Sequence, residues 1–230
     1  MTSKVLSPAD ALAKYLAAKR KVKNLTIVGI AGPGDALANW PAVKETIGKI
    51  KAADRTAQFC LSTNGLLLPA LADELQETGI NFLTVTVNAL EPSVGEKIYR
   101  SVHWQGKKIG SEAGFRLLSQ NQQAGIRMAV QRGIVCKVNT VVIAGINDQC
   151  IGDIAATAGS LGCYLFNVIS LIPVKGSKFE KIPVMEAGRI QSIRQQCGVF
   201  IKQMYHCQRC RADAVGCLPQ AAASDCCYPY

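Results

Sequence analysis

Aromatic residues make up only 6% of this 230-residue chain, and they are not interleaved with its basic residues. That scarcity argues against a base-stacking platform, although a formal charge of +10 makes nucleic acid the first partner to consider. The cations collect elsewhere. Lys14, Lys19, Arg20, Lys21 and Lys23 surround the end of the first predicted helix, where they suit its dipole and solvent. Arg189, Arg194, Lys202, Arg209 and Arg211 lead into and through a cysteine pair. No apolar run approaches the roughly 18 residues that span a bilayer, and the first residues lack a charged-then-apolar leader pattern. The expectation is a cytoplasmic protein that engages neither membrane nor nucleic acid. A P-loop, an H-E-x-x-H helix and a Ser-His-Asp set are also missing, and Gly29-x-x-Gly32 fails the dinucleotide spacing.

Cysteine, by contrast, is plentiful: ten residues, which in a reducing compartment point to metal ligation before disulfides. Cys150, Cys163 and Cys197 stand alone in apolar segments and read as inert buried thiols. Cys217, Cys226 and Cys227 lie in an Ala/Pro-containing tail and read as non-ligands. The run His206-Cys207-Gln208-Arg209-Cys210-Arg211 is different. One turn can bring thiols three residues apart onto one soft metal, and the flanking arginines favour thiolate over thiol. By itself the pair fits a redox couple or half a zinc site equally well.

Taken in order, the chain alternates. Ser7-Pro8-Ala9-Asp10 caps a first helix, with Ser7 as N-cap and Pro8 at its first position. Strands are expected over 24–32, 57–62, 81–87, 134–143 and 164–171, and helices over 41–53, 69–78, 148–160 and 184–196. A longer excursion over 91–132 contains at least one helix. This pattern means parallel strands with right-handed crossovers, an α/β sheet or barrel of five β-α units, too few for the eight-unit barrel.

Chemistry in such folds gathers at the carboxyl ends of the strands. Four predicted strand ends are polar or glycine-rich: Gly32-Pro33-Gly34-Asp35, Cys60 with Ser62-Thr63-Asn64-Gly65, Thr84 to Asn88, and Ile143 to Asp148. Each alone is ordinary turn chemistry; together they predict a shared binding face. Gly32 and Gly34 would let a backbone approach a ligand, and Asp35 would accept from an ammonium group, or else the loop is a glycine turn with Asp35 as a helix cap. Cys60 is either a rim ligand or core. His206 either ligates, orients its loop or is a plain surface histidine, and His103 reads as structural.

Gly29-Ile30-Ala31-Gly32-Pro33-Gly34-Asp35, Leu61-Ser62-Thr63-Asn64-Gly65, Val85-Thr86-Val87-Asn88, Val138-Asn139 through Ile143 to Asn147-Asp148, Leu171-Ile172-Pro173-Val174 and His206-Cys207 through Val215-Gly216 then occur in one order. Over about residues 3–218 this order resembles the NifB family of radical S-adenosylmethionine proteins. The resemblance implies a partial (β/α)6 TIM-like barrel. It also implies nitrogenase cofactor biosynthesis, in which two [4Fe-4S] clusters are fused around a carbide derived from S-adenosylmethionine. It places Gly32, Gly34, Asp35, Thr86, Asn88 and Ile143 at the S-adenosylmethionine site and assigns Cys60, Cys207 and Cys210 as ligands of precursor clusters. Implied partners are iron–sulfur cluster donors and nitrogenase cofactor maturation proteins. No catalytic residue is assigned.

Three departures accompany it. The family's C-x-x-x-C-x-x-C loop after the first strand has no counterpart in these residues, and Thr2 to Pro8 resemble the segment just downstream of it. The resemblance therefore implies a barrel lacking its first β-α unit, truncated at the N-terminus and inactive alone. Ala36 and Ala144 stand where the family commonly has proline. The expected division is a partial barrel over 1–198, a cluster-binding extension over 199–218 and an unassigned tail over 219–230. Two other classes stay open: a non-catalytic iron–sulfur scaffold or carrier, and a zinc-binding module.

Overall fold

In the computed structural model, residues 5–22 and 25–205 are described. Helix α1 (Pro8–Lys21) starts as expected, its cap Ser7 accepting from the Asp10 amide. Strand β1 (Ile27–Ile30) leads through the glycine loop and a 3-10 turn (Ala36–Asn39) into α2 (Trp40–Ala53). There follow β2 (Gln58–Thr63), α3 (Leu68–Thr78) and β3 (Phe82–Thr86). The long excursion is α4 (Pro92–Ile98), a hairpin of β4 (Ser101–Trp104) and β5 (Lys107–Gly110), and the 21-residue α5 (Ser111–Gln131). Then come β6 (Val135–Val142), α6 (Ile151–Ser160), β7 (Leu165–Ser170) and α7 (Ala187–Cys197).

The main sheet has five strands in the order β1-β2-β3-β6-β7, all parallel. Each main-sheet strand lies beside its predecessor, as right-handed crossovers require of a barrel wall. The hairpin was not foreseen from sequence; its Gln105-Gly106 turn has both residues at positive φ, and His103 stands exposed on it. A further strand position follows β7: Phe166 donates to the Lys202 carbonyl and accepts from the Met204 amide, laying Gln203 parallel to β7. The segment after α7 thus begins by extending the barrel wall.

Alternation sorts the side chains. Val28, Phe59, Leu61, Leu83, Val85, Val138, Val142, Phe166 and Val168 point at the helices and pack with Ile47, Leu75, Ile126 and Ile154 in the main core. The other face carries Cys60, Ser62, Thr84, Thr86, Lys137, Asn139 and Asn167, fixed by the pairs Ser62 with Thr84, Thr84 with Lys137, Thr86 with Asn139 and Asn139 with Asn167. Helix α1 has a different anchorage, resting on α2. The Tyr15 hydroxyl donates to Asp54 at 2.5 Å and Lys19 pairs with the same carboxylate. Among the described residues β1 is paired on one side alone. Along its free edge a cavity of about 620 Å³ opens between α1 and α2, lined by Leu6, Ala11, Tyr15, Val28, Gly29 and Val43.

Candidate active site at the strand ends

The loop after β1 is shaped by Gly34, whose φ of +87° few other residues adopt. Nothing lies within 4 Å of where a Cβ would stand on Gly32 or Gly34, so this backbone is open to a ligand. Asp35 caps the following turn through the Leu37 amide at 2.9 Å. Its carboxylate also receives the Thr63 hydroxyl at 2.9 and 3.0 Å and the Asn64 amide at 2.5 Å. Three donor hydrogens therefore occupy about three of its roughly four acceptor sites. Asp35 joins the end of β1 to that of β2 and keeps room for about one further donor.

The next strand ends are tied by Gln122, which sequence reading passed over, and by Asn88 and Asn147, both in the strand-end motifs. Gln122, almost fully buried on α5, donates to the carbonyls of Asn64 at 2.7 Å and Thr86 at 2.9 Å. Asn88 accepts from the Val141 amide at 2.9 Å and donates to the Tyr99 hydroxyl at 3.1 Å. Burial raises the Tyr99 phenol, against an opposite pull from that Asn88 bond. Asn147, 0% exposed, donates to the Asn88 and Val141 carbonyls at 2.8 and 2.9 Å and accepts from the Ile143 amide at 2.7 Å. The structure thus gathers Gly32, Gly34, Asp35, Thr86, Asn88 and Ile143 along the ends of β1, β3 and β6. Gln122 and Asn147 carried one sequence signal each, a polar residue on a largely apolar helix face and an Asn in a turn. Neither signal distinguishes a buried brace from a surface residue.

Cys60 lies deeper than this rim, half-buried on the concave face with its Sγ 3.8 Å from the Thr84 hydroxyl. Cys207 and Cys210 lie outside the described residues. Cys163 and Cys197 are buried, their thiols pushed up to about 12 and about 11 by desolvation, which leaves them protonated and inert at neutral pH. Cys136 is raised still further by the same burial, with a smaller contribution from Cys163. Cys150 is half-buried at the start of α6.

Residues 2–158 match the Radical SAM superfamily. The chain belongs to that superfamily. Within it, the chain is 37% identical to the FeMo cofactor biosynthesis protein NifB of Frankia alni over 235 aligned positions, covering 98% of this chain and 46% of that protein. Identity to NifB of Chlorobaculum tepidum is 36%, covering 94% of this chain and 51% of that protein. The chain thus spans about half the length of these relatives. Among solved structures, Streptococcus suis SuiB has a TM-score of 0.61 at 12% identity, covering 88% of this chain and 44% of that one. A domain of the pyruvate-formate lyase-activating enzyme of Bacteroides vulgatus has a TM-score of 0.55 at 15% identity, covering 76% of this chain and 96% of that one. These two likenesses establish the fold alone, a partial α/β barrel.

The superfamily uses S-adenosylmethionine and a [4Fe-4S] cluster. The open glycine loop and the spare acceptor site on Asp35 fit the amino-acid end of S-adenosylmethionine. For the cluster the fit fails: among the described residues no group of three His, Cys, Asp or Glu side chains could hold a metal. Nor does C-x-x-x-C-x-x-C occur in these 230 residues. Among the described residues no helix is long and apolar enough to cross a membrane.

Proposed function

We propose that this chain forms the cofactor-binding and substrate-binding wall of a NifB-type enzyme, which fuses two [4Fe-4S] clusters into the carbide-centred precursor of the nitrogenase cofactor. One observation supports this most: glycine- and asparagine-bearing loops, braced along the strand ends, lie above a thiol, Cys60, on the concave face of the same sheet. S-adenosylmethionine bound there supplies the carbon. The chain's own residues bind and orient it. Gly32 and Gly34 admit its backbone-like end, Asp35 accepts from its ammonium group, and the strand ends at Thr86 and Ile143 flank the remainder. Cys60 ligates one substrate cluster, and Cys207 with Cys210 ligates the other, their thiolates favoured by Arg209 and Arg211. Cluster donors and nitrogenase cofactor maturation proteins in the cytoplasm would deliver and receive the clusters.

The free edge of β1 belongs to this reading. Right-handed crossovers place a strand leading into α1 beside β1, and the apolar cavity between α1 and α2 lies along that edge. A β-α unit seated there would bring its loop to the same rim. A second reading is a non-catalytic iron–sulfur carrier that keeps only the Cys60 and Cys207/Cys210 sites. The deciding assay is 5′-deoxyadenosine formation under dithionite after anaerobic reconstitution. The expected result is S-adenosylmethionine binding without turnover by the 230-residue chain. Turnover should appear when the chain is extended upstream to include a C-x-x-x-C-x-x-C loop. Catalytic turnover by the chain alone would refute the cluster assignments, and none from the extended chain would favour the carrier. Zinc instead of iron and sulfide in the purified protein would establish a zinc module.

A further inference from the structure

The loop after β2 is held more completely than its position demands. Asn64 is exposed, yet every backbone polar group of residues 64–66 has a partner. The Asn64 amide donates to Asp35 at 2.5 Å, the Gly65 amide to the Thr63 hydroxyl at 3.0 Å and the Leu66 amide to the Asn64 side chain at 2.8 Å. Among the carbonyls, that of Gly65 accepts from the Leu68 amide at 3.2 Å and that of Leu66 from the Asn121 side chain at 2.8 Å. The Asn64 carbonyl falls to Gln122 at 2.7 Å, and the same Nε2 reaches across to the Thr86 carbonyl at 2.9 Å. Both hydrogens of that amide are therefore engaged, one at each of two strand ends. Gly65 permits the approach. At its φ of +86° a Cβ would stand 2.9 Å from the Gln122 Cγ and 2.9 Å from the Val85 Cγ1, so the turn backbone lies directly against the Gln122 stem.

We infer that Gln122 is a positioning residue for the ammonium group bound at Asp35, acting through Asn64. The inference rests on the proposed S-adenosylmethionine site. The path is short: Gln122 holds the Asn64 carbonyl, the Asn64 amide holds Asp35 Oδ2, and the Thr63 hydroxyl reaches both carboxylate oxygens. With the loop fixed, the acceptor site that Asp35 keeps free has a set direction. Without Gln122 the Asn64 peptide can turn, its amide leaves Asp35, and the carboxylate swings. A charge-assisted hydrogen bond depends on that alignment and weakens steeply as it is lost. Gln122 is 2% exposed, so no water readily takes over its two bonds. Thr86 shares the same nitrogen, which ties the ammonium subsite to the strand end flanking the rest of the cofactor. Asn121 supplies the contrast. It also stands on α5 and donates to this loop, but at Leu66, beyond Gly65, and it reaches no second strand end.

The test measures binding of S-adenosylmethionine and of its desamino analogue to the full chain by isothermal titration calorimetry. The readout is the ratio of the two dissociation constants, which isolates the ammonium group. A merely structural Gln122 would lower the denaturant midpoint when replaced and leave that ratio alone. Gln122→Met keeps the length and removes both donors, and the preference for the amino-bearing compound should fall about tenfold, with the desamino analogue nearly unaffected. Gln122→Asn retains an amide and guards against a failure to fold. One carbon shorter, it cannot span both carbonyls and should lose most of the preference too. Asn121→Leu should cost stability and keep the parent ratio. If the parent shows no preference for the amino-bearing compound, the underlying reading of Asp35 fails. If the parent shows it and the folded Gln122 variants retain it, the positioning role alone is refuted. A preference lost as fully in Asn121→Leu as in Gln122→Met would also overturn that role, because any loosening of the loop would then suffice.

Discussion

Replacing Asn147 by Ala should be among the most damaging single changes at the rim. The side chain is 0% exposed and satisfies three backbone groups: the carbonyls of Asn88 and Val141 and the amide of Ile143. Alanine abandons all three. Each buried backbone group left without a partner costs about 1–3 kcal/mol, and water entering from the rim would relieve part of that. The expected loss is about 3 kcal/mol, read as a lower urea midpoint at unchanged m-value. Asn147→Asp separates the donor role from the acceptor role. Its carboxylate would face two carbonyl oxygens in a dry site, so its folded pKa is raised above the unfolded value of about 3.9. Below pH 4 the protonated acid can still donate, and the deficit is smallest. As pH rises from the unfolded pKa toward the raised folded pKa, the unfolded state sheds its proton first and stability falls by up to about 1.4 kcal/mol per pH unit. Urea titrations of both variants at pH 4 and pH 7 check this. An alanine variant within 1 kcal/mol of the parent, or an aspartate variant indifferent to pH, would refute the brace.

Three further outcomes follow from other parts of the molecule. Cys207→Ala with Cys210→Ala should lose much of the iron bound on anaerobic reconstitution; unchanged iron content would remove the pair from the cluster assignment. The 230-residue chain should self-associate at micromolar concentration through the free edge of β1, which leaves Gly29 exposed and Ile27, Val28 and Ile30 half-covered. A monodisperse, cooperatively unfolding monomer in sedimentation would contradict that. Gly125→Ala should destabilise the protein by about 1–3 kcal/mol in denaturant titrations, because the added Cβ would stand 2.2 Å from the Leu68 Cβ, where α5 crosses α3. Wild-type stability would show that α5 shifts freely.

How far the sequence alone determined this protein differs between wall and site. The strands of the barrel wall were legible because buried parallel strands are short β-branched runs, and Val135–Val142 or Phe82–Thr86 can hardly be anything else. The helices were legible from their periodicity and from Ser7 as a cap. The strand-end loops were legible too, since glycine and asparagine concentrate there for reasons of local geometry. The hairpin Ser101–Gly110 was not legible, its two four-residue strands carrying His103, Lys107 and Lys108 and little alternation. Nor were the braces. Whether Gln122 meets solvent or two strand-end carbonyls depends on which helix face lies against which strands, and that is decided only when α5 packs. The same holds for Lys137, whose place between Val138 and Cys136 suggests a core strand. Only the register of β6 with β3 and β7 turns it to the concave face and makes a buried charge out of an ordinary lysine. Local pattern is written in each residue's neighbours along the chain, whereas a site's electrostatics belong to neighbours that folding brings from elsewhere.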